Sequence, residues 1–400
     1  MSGARRPRVA MVVQRAGREV NGGAEALCRD VALALRSVWD VTIVTTTAID
    51  YGTWAPDYPA GPGDIEGLPV LRFDVDEPRS PRHFDTLSAR LLAKIGTAPL
   101  AEQEAWMRAQ GPYSTRLLRY LEDHGDSYDL VIFYTYLYAT TYFGMPLVRD
   151  RAVLVPFAHD EWPIHLSMWN ERFAAAREVV LSTSEERDFL EARFGRPFAG
   201  PVIGIGVDLP EDADGSRFRQ RCGVANPFAI YVGRIEAAKG CEQLLQDFAQ
   251  HKRRVADDLI LVMLGRAQMA LPTLPYLRPL GFVDEQTKFD GLAASEFLIM
   301  PSALESLSIS LLEAWSVSRP VLVNAASDVL VGQSRRANAG LWYGDAAELS
   351  AGIDLLRGPA GRELGANGRR FVAERYAWPR IIEAYQHLYE RFAVPVSSPA

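Results

Sequence analysis

"PSALESLSISLLEAW", Pro301–Trp315, sets two charges, Glu305 and Glu313, around a run of serines and aliphatics. The alternation from Ser306 to Ser310 suits a strand, while Ile309, Leu312, Trp315 and Ser316 suit one face of a helix. What precedes it decides between them. "EFLIMPS" reads as a buried strand ending at Pro301, and a second strand directly after it would leave no room for a parallel crossover. The fitting reading is a loop to about Leu307, a serine cap and then a helix. Glu305 then falls in the loop, and Glu313 lies about one turn into the helix.

The same strand–turn–helix rhythm runs through the chain. "RVAMVVQ" (Arg8–Gln14) leads through a glycine-containing loop to a helix near Gly23–Arg36 and then to "VTIVTT" (Val41–Thr46). "VLRFDV", "LVIFYT", "AVLVPFA" and "EVVLST" follow, and after a polar stretch come "FAIYVG", "LILVMLG", "FLIMP" and "PVLVN". Continuous apolar runs of this length belong to strands buried on both faces. Alternation on both sides of the polar stretch after Asp208 predicts two doubly wound α/β domains, 1–207 and 208–378. Ligands of such sheets sit outside the carboxyl ends of the strands, so the expected site is a cleft between the two domains. Two stretches break the rhythm. Asp50–Pro69, rich in Gly, Pro and acidic residues, reads as a long loop. Arg79–Arg119 reads as a basic helical insertion, either simply solvated or an acceptor-binding or membrane-surface lobe.

Composition excludes several classes. The 400 residues are 48% hydrophobic and 23% charged, as in ordinary globular proteins. A net charge of −7 without a basic stripe argues against nucleic-acid binding. Cys28, Cys222 and Cys241 are too few and too scattered for a disulfide framework or zinc knuckle, which points to a reducing, cytoplasmic setting. Leu130–Val148 is uncharged and long enough to span a bilayer. Its four tyrosines, three threonines, Gly144 and Pro146 make it instead a buried strand running into a helix.

Four places could carry chemistry. "YVGRIEAAKG" (Tyr231–Gly240) leaves a strand at Gly233 and places Arg234 and Lys239 at its carboxyl end. An arginine fork and a lysine point charge together suit a diphosphate, though loop cations are common. Gly22 and Gly23 precede the first helix, where the backbone can approach an anion closely or simply turn. Neither G-x-G-x-x-G nor a P-loop is present, so hydride transfer and P-loop hydrolysis lose their usual support. His159 follows an apolar strand, where it could bond a substrate hydroxyl or serve only the structure. The fourth place is the opening stretch, whose helix N-terminus would favour a phosphate.

In this order and spacing, the Gly-rich loop, "HD" (His159–Asp160), "GIGVD" (Gly204–Asp208), "VGRIEAAKG" and the E-x7-E pair resemble the retaining GT-B glycosyltransferases of glycosyltransferase family 4. The resemblance implies a GT-B fold with two Rossmann-like domains. It also implies a C-terminal helix (379–400) that crosses back to the first domain. Arg234 and Lys239 would bind the donor diphosphate, Glu313 the ribose hydroxyls, Glu305 and His159 the transferred sugar, and Gly22 and Gly23 would approach the phosphates. Gly233, Leu307, Ser308 and Ile309 would complete the donor site. The implied reaction is metal-independent transfer of a hexose from a nucleotide sugar to an acceptor hydroxyl on a glycan, lipid or small molecule, without a cofactor. The rivals are a GT-B nucleotide-sugar epimerase and a non-catalytic sugar-nucleotide binder. Peripheral membrane contact is favoured by the basic helical stretch and disfavoured by the acidic first domain. One departure stands out. Many family members have Glu-Gly-Phe-Gly after the first glutamate, where this chain has Glu305-Ser306-Leu307-Ser308.

Overall fold

The computed structural model describes residues 5–20 and 22–393. The chain forms two compact units, Met1–Gly204 with Ile382–Ala400, and Ile205–Ile381.

The first unit is a seven-stranded sheet. Its strands are β1 (Arg8–Arg15), β2 (Asp40–Thr46), β3 (Gly61–Ile65), β4 (Leu68–Phe73), β5 (Leu130–Tyr134), β6 (Ala152–Val155) and β7 (Glu178–Val179). They lie in the order β3-β4-β2-β1-β5-β6-β7, parallel except for the antiparallel β3–β4 pair. The central strands are apolar on both faces because helices cover both, and Val9–Val13 and Leu130–Phe133 are fully buried. Helix Gly23–Leu35 turns Leu27, Cys28, Val31 and Leu35 to the sheet at helical spacing. The basic stretch after β4 forms helices Pro81–Leu92 and Leu100–Gln110 and enters a third, Thr115–His124. Helix Trp378–Ala393 returns to this unit. There it buries Tyr385 and Leu388, sets Tyr385 edge-on to Trp39 at 6.2 Å, and pairs Arg391 with Glu178 at 2.5 Å.

The second unit has six parallel strands in the order β10-β9-β8-β11-β12-β13. They are β8 (Phe228–Val232), β9 (Ile260–Leu264), β10 (Leu277–Gly281), β11 (Phe297–Met300), β12 (Val321–Asn324) and β13 (Gly340–Tyr343). β8 and β11 are adjacent although a whole crossover through β9 and β10 separates them in sequence. That reversal is the topological switch point of the sheet, where loops splay and leave room for a ligand.

The strands that sequence reading missed share one property. β3, β10 and β13 are all edge strands. An edge strand is half solvated, so it lacks the continuous apolar run and tolerates proline, as β10 does at Pro279. The Asp50–Pro69 segment is therefore not all loop. It carries β3 and then a two-residue turn in which Glu66 (φ 54°) and Gly67 (φ 83°) both take the left-handed conformation of a tight hairpin. Among the described residues, no helix is long and apolar enough to cross a membrane, and Leu130–Val148 divides into β5 and a short helix, Ala139–Gly144.

Candidate active site

The loops after β8 and β11 meet at the switch point. The loop after β8 opens at Gly233 (φ 151°) and closes at Gly240 (φ 73°), just before helix Cys241–Arg254. Gly240 is required by space as well as by conformation, because a Cβ there would stand 2.4 Å from the carbonyl oxygen of Pro301. That approach joins the two loops. Asn324, at the end of β12, donates its side-chain amide to the same carbonyl at 2.8 Å.

Across the junction, Lys239 Nζ donates to Glu305 Oε1 at 2.8 Å, with the glutamate the more enclosed partner. Arg234 points outward: its side chain is 56% exposed and its guanidinium lies 3.2 Å from Glu236. The backbone that carries it is held from below, where the buried Tyr231 hydroxyl donates to the Arg234 carbonyl at 2.6 Å. Arg234 is thus an exposed cation on a fixed base.

The opening stretch resolves as loop and then helix, Ile309–Ser316. Ser308 is the N-cap, its hydroxyl accepting from the Leu311 N–H at 3.4 Å. This gives the serine in place of the family's glycine a local purpose. Ser310 ties the first turn to β8 by donating to the Val232 carbonyl at 3.1 Å. With the Leu311 amide taken by Ser308, the Ile309 and Ser310 amides have no intrahelical acceptor, so the helix start, capped three residues after Glu305, presents donors and the positive end of its dipole. Leu307 and Ser308 are buried and anchor the turn.

Glu313 lies one turn in and is buried, with Lys288 Nζ 2.6 Å from its Oε1. Burial works against the Lys288 charge, but Glu313 and Glu285 outweigh it and hold the ammonium above its usual value. Lys288 comes from helix Glu285–Ala294, and sequence reading did not single it out. The available signal was its rarity, one lysine among four. Glu236 and Asn324 were missed as well, because nothing in their neighbourhoods marks a polar residue as facing a loop from another strand.

In the first unit, Gly22 is the N-cap of helix Gly23–Leu35. A Cβ on Gly22 would stand 2.0 Å from Glu25 Oε2, and Glu25 is paired with Arg15 at 2.5 Å. Gly23 faces open space. His159 follows β6 and is partly exposed. Its Nδ1 is buried without a partner, and its Nε2 lies 3.8 Å from Glu161, whose other oxygen takes the Tyr136 hydroxyl at 2.7 Å. The structure therefore brings Arg234, Lys239, Glu305, Ser308 and Glu313 to one end of the second sheet. It sets Gly22, Gly23 and His159 at the ends of strands in the first.

Two open α/β sheets with these connections are the GT-B fold, the fold of a large class of glycosyltransferases. The chain superposes on sucrose-phosphate synthase from Thermosynechococcus elongatus with a TM-score of 0.72 at 18% identity, covering 97% of this chain and 99% of that one. An Anabaena protein solved in complex with UDP-glucose gives 0.68 at 17% identity, covering 96% and 99%. Residues 226–356, within the second unit, match the family model described as glycosyl transferases group 1. Among curated relatives, an alpha-D-kanosaminyltransferase of Streptomyces kanamyceticus is 27% identical over 231 residues, 52% of this chain and 59% of that protein. An MMP alpha-(1->4)-mannosyltransferase of Mycolicibacterium hassiacum is 26% identical over 275 residues, 63% and 65%. In both cases the match spans less than two thirds of the relative.

Proposed function

We propose that this protein transfers a hexose from a nucleoside-diphosphate sugar to an acceptor hydroxyl, with retention of anomeric configuration. One observation carries the reading. Lys239, Glu305 and the N-terminus of helix Ile309–Ser316 converge where β8 and β11 end. A diphosphate leaving group gains negative charge as its bond to the sugar breaks, and preorganised cations and free amides are what stabilise that charge best. Arg234 and Lys239 meet the diphosphate. As the phosphate oxygens take Lys239, the Glu305 carboxylate becomes free to accept from sugar hydroxyls. Glu313, held in place by Lys288, accepts from the ribose hydroxyls. His159 contacts the transferred sugar, and Gly22 and Gly23 leave room for the phosphates.

The carbon–oxygen bond to the phosphate breaks as the acceptor oxygen bonds to the same carbon. The acceptor proton passes to the departing phosphate on the same face of the sugar. Fixed cations fill the charge-neutralising role that a divalent metal has in other transferases, so turnover should survive a chelator. The named relatives and the UDP-glucose complex of the Anabaena protein favour a hexose donor.

Screening nucleotide sugars by thermal shift identifies the donor, since a ligand that binds only the folded state raises its melting temperature. With that donor, Lys239→Ala and Arg234→Ala should each lower transfer by roughly a hundredfold or more, read as nucleoside-diphosphate release. Wild-type rates in both variants would overturn the assignment. So would inverted configuration in the product, as seen by NMR of its anomeric proton.

A further inference from the structure

We propose that Glu186 is a positioning residue for His159, its buried carboxylate fixing the loop that carries the imidazole. Glu186 lies at the third position of helix Ser184–Phe194, and Thr183 caps that helix by accepting from the Glu186 N–H at 3.1 Å. By sequence this is a capping box, in which the glutamate folds back onto its own helix start. The structure shows more. Glu186 Oε2 accepts from the Ser182 N–H at 2.6 Å, and Oε1 accepts from the Ala158 N–H at 2.6 Å. Ala158 belongs to another loop, at the end of β6, and immediately precedes His159. A helix cap has no need of it.

That loop requires an outside hold. Phe157 sits at φ 51°, a left-handed conformation that a non-glycine residue keeps only when its surroundings impose it. His159 cannot orient itself, because among the described residues its buried Nδ1 has no partner and its ion-pair neighbour, Glu161, is 3.8 Å away. The direction of the ring is therefore inherited from the backbone at Ala158, which Glu186 clamps to the end of the next strand.

Among the described residues, no cation neutralises this carboxylate. The charged groups on the surrounding elements have other partners: Glu161 takes Tyr136, Asp160 takes His165, Glu178 takes Arg391, Glu185 takes Ser184, and Arg187 donates to the Gly200 carbonyl. Burial accordingly raises the Glu186 carboxyl to about 7, against the lowering pull of its two backbone donors. Protonation would turn one acceptor oxygen into a donor facing an N–H, so the clamp loosens as the group takes up its proton.

The idea that His159 acts on the donor rests on the function proposed above, whereas the control of its position by Glu186 does not. The experiment therefore needs two readouts. The first is an NMR titration of the ligand-free protein, following the Ala158 and Ser182 amides and the His159 Cε1–H. The two amides should move together with a midpoint near that of Glu186. The His159 signal should carry the same inflection, and Glu186→Gln should abolish it. The second is the pH profile of donor turnover. Glu186→Gln should lower kcat about tenfold, as expected for a misplaced contact group, with the donor KM within about twofold. Unchanged His159 and Ala158 signals in Glu186→Gln, with only a lower melting temperature, would overturn the proposal. If that variant does not fold, the wild-type titration decides, and a His159 signal that ignores the Ala158 amide overturns it. Wild-type protein without turnover would refute the function while leaving the NMR result to stand or fall alone.

Discussion

At the ends of β8 and β11 two enclosed carboxylates face lysines, Glu305 with Lys239 and Glu313 with Lys288. At the ends of β6 and β7 the buried carboxylate of Glu186 takes the backbone N–H groups of Ala158 and Ser182 and, among the described residues, no cation. Both arrangements satisfy hydrogen-bonding capacity, and they respond differently to change. A lysine–carboxylate pair yields to a competing anion, which suits the diphosphate site proposed above. A carboxylate held by amides alone keeps the desolvation penalty of its charge and yields to a proton. On the two proposals above, the same residue type would serve as a ligand-exchangeable contact in one unit and a proton-sensitive clamp in the other.

The largest effect should come from breaking a pair on one side. Lys288→Met leaves Glu313 charged, buried and without its lysine, at a destabilisation of about 3–5 kcal/mol, measurable by urea denaturation. Lys288→Met combined with Glu313→Leu should recover most of that stability while donor affinity stays lost. Recovery of both together would show that the pair is purely structural.

The amide-held carboxylate should appear in the pH dependence of stability. Its folded value, about 7, lies above its ordinary 4.5. The folded state therefore binds the extra proton between those values, and stability falls as pH rises through that window by about 3 kcal/mol. Glu186→Gln should flatten the curve between pH 4.5 and 7. Asp257, Asp284 and Asp290 are held below their usual range, so their contributions are lost only under more acid conditions and do not blur the window. An unchanged slope in the variant would remove the contrast between the two units.

The smallest effect concerns the serine at the site's helix. Ser308→Ala removes the N-cap and should destabilise by about 1 kcal/mol, whereas Ser308→Gly should cost only a few tenths. If Ser308→Gly also leaves transfer intact, the serine serves the helix and not the donor.

Much of this was legible beforehand because the central strands are apolar on both faces and glycine marks their ends. Gly233 and Gly240 delimit a loop whose cations can be read directly, and Ser308 announces the helix that follows. The edge strands β3, β10 and β13 were not legible, since half-solvated strands carry no strong pattern. Nor were the partners of the site residues. Lys288 lies 25 residues before Glu313, and Glu186 lies 28 residues after Ala158, so no local spacing connects them. Glu186 even carried a sufficient local explanation, the capping box, which concealed its long-range contact.

The sequence by itself determined that the chain builds two mostly parallel α/β sheets, that Arg234, Lys239, Glu305 and His159 follow strand ends, and that Glu313 lies one turn into the helix after them. Those features follow from periodicity and turn chemistry, which act over a few residues. Only the tertiary structure decided which charges meet. It put β8 beside β11, set Lys239 on Glu305 and Lys288 on Glu313, and sent Glu186 to another strand's backbone. Strand order is a long-range outcome of how the crossovers pack, and the charge on a buried carboxylate depends on the neighbours that packing supplies.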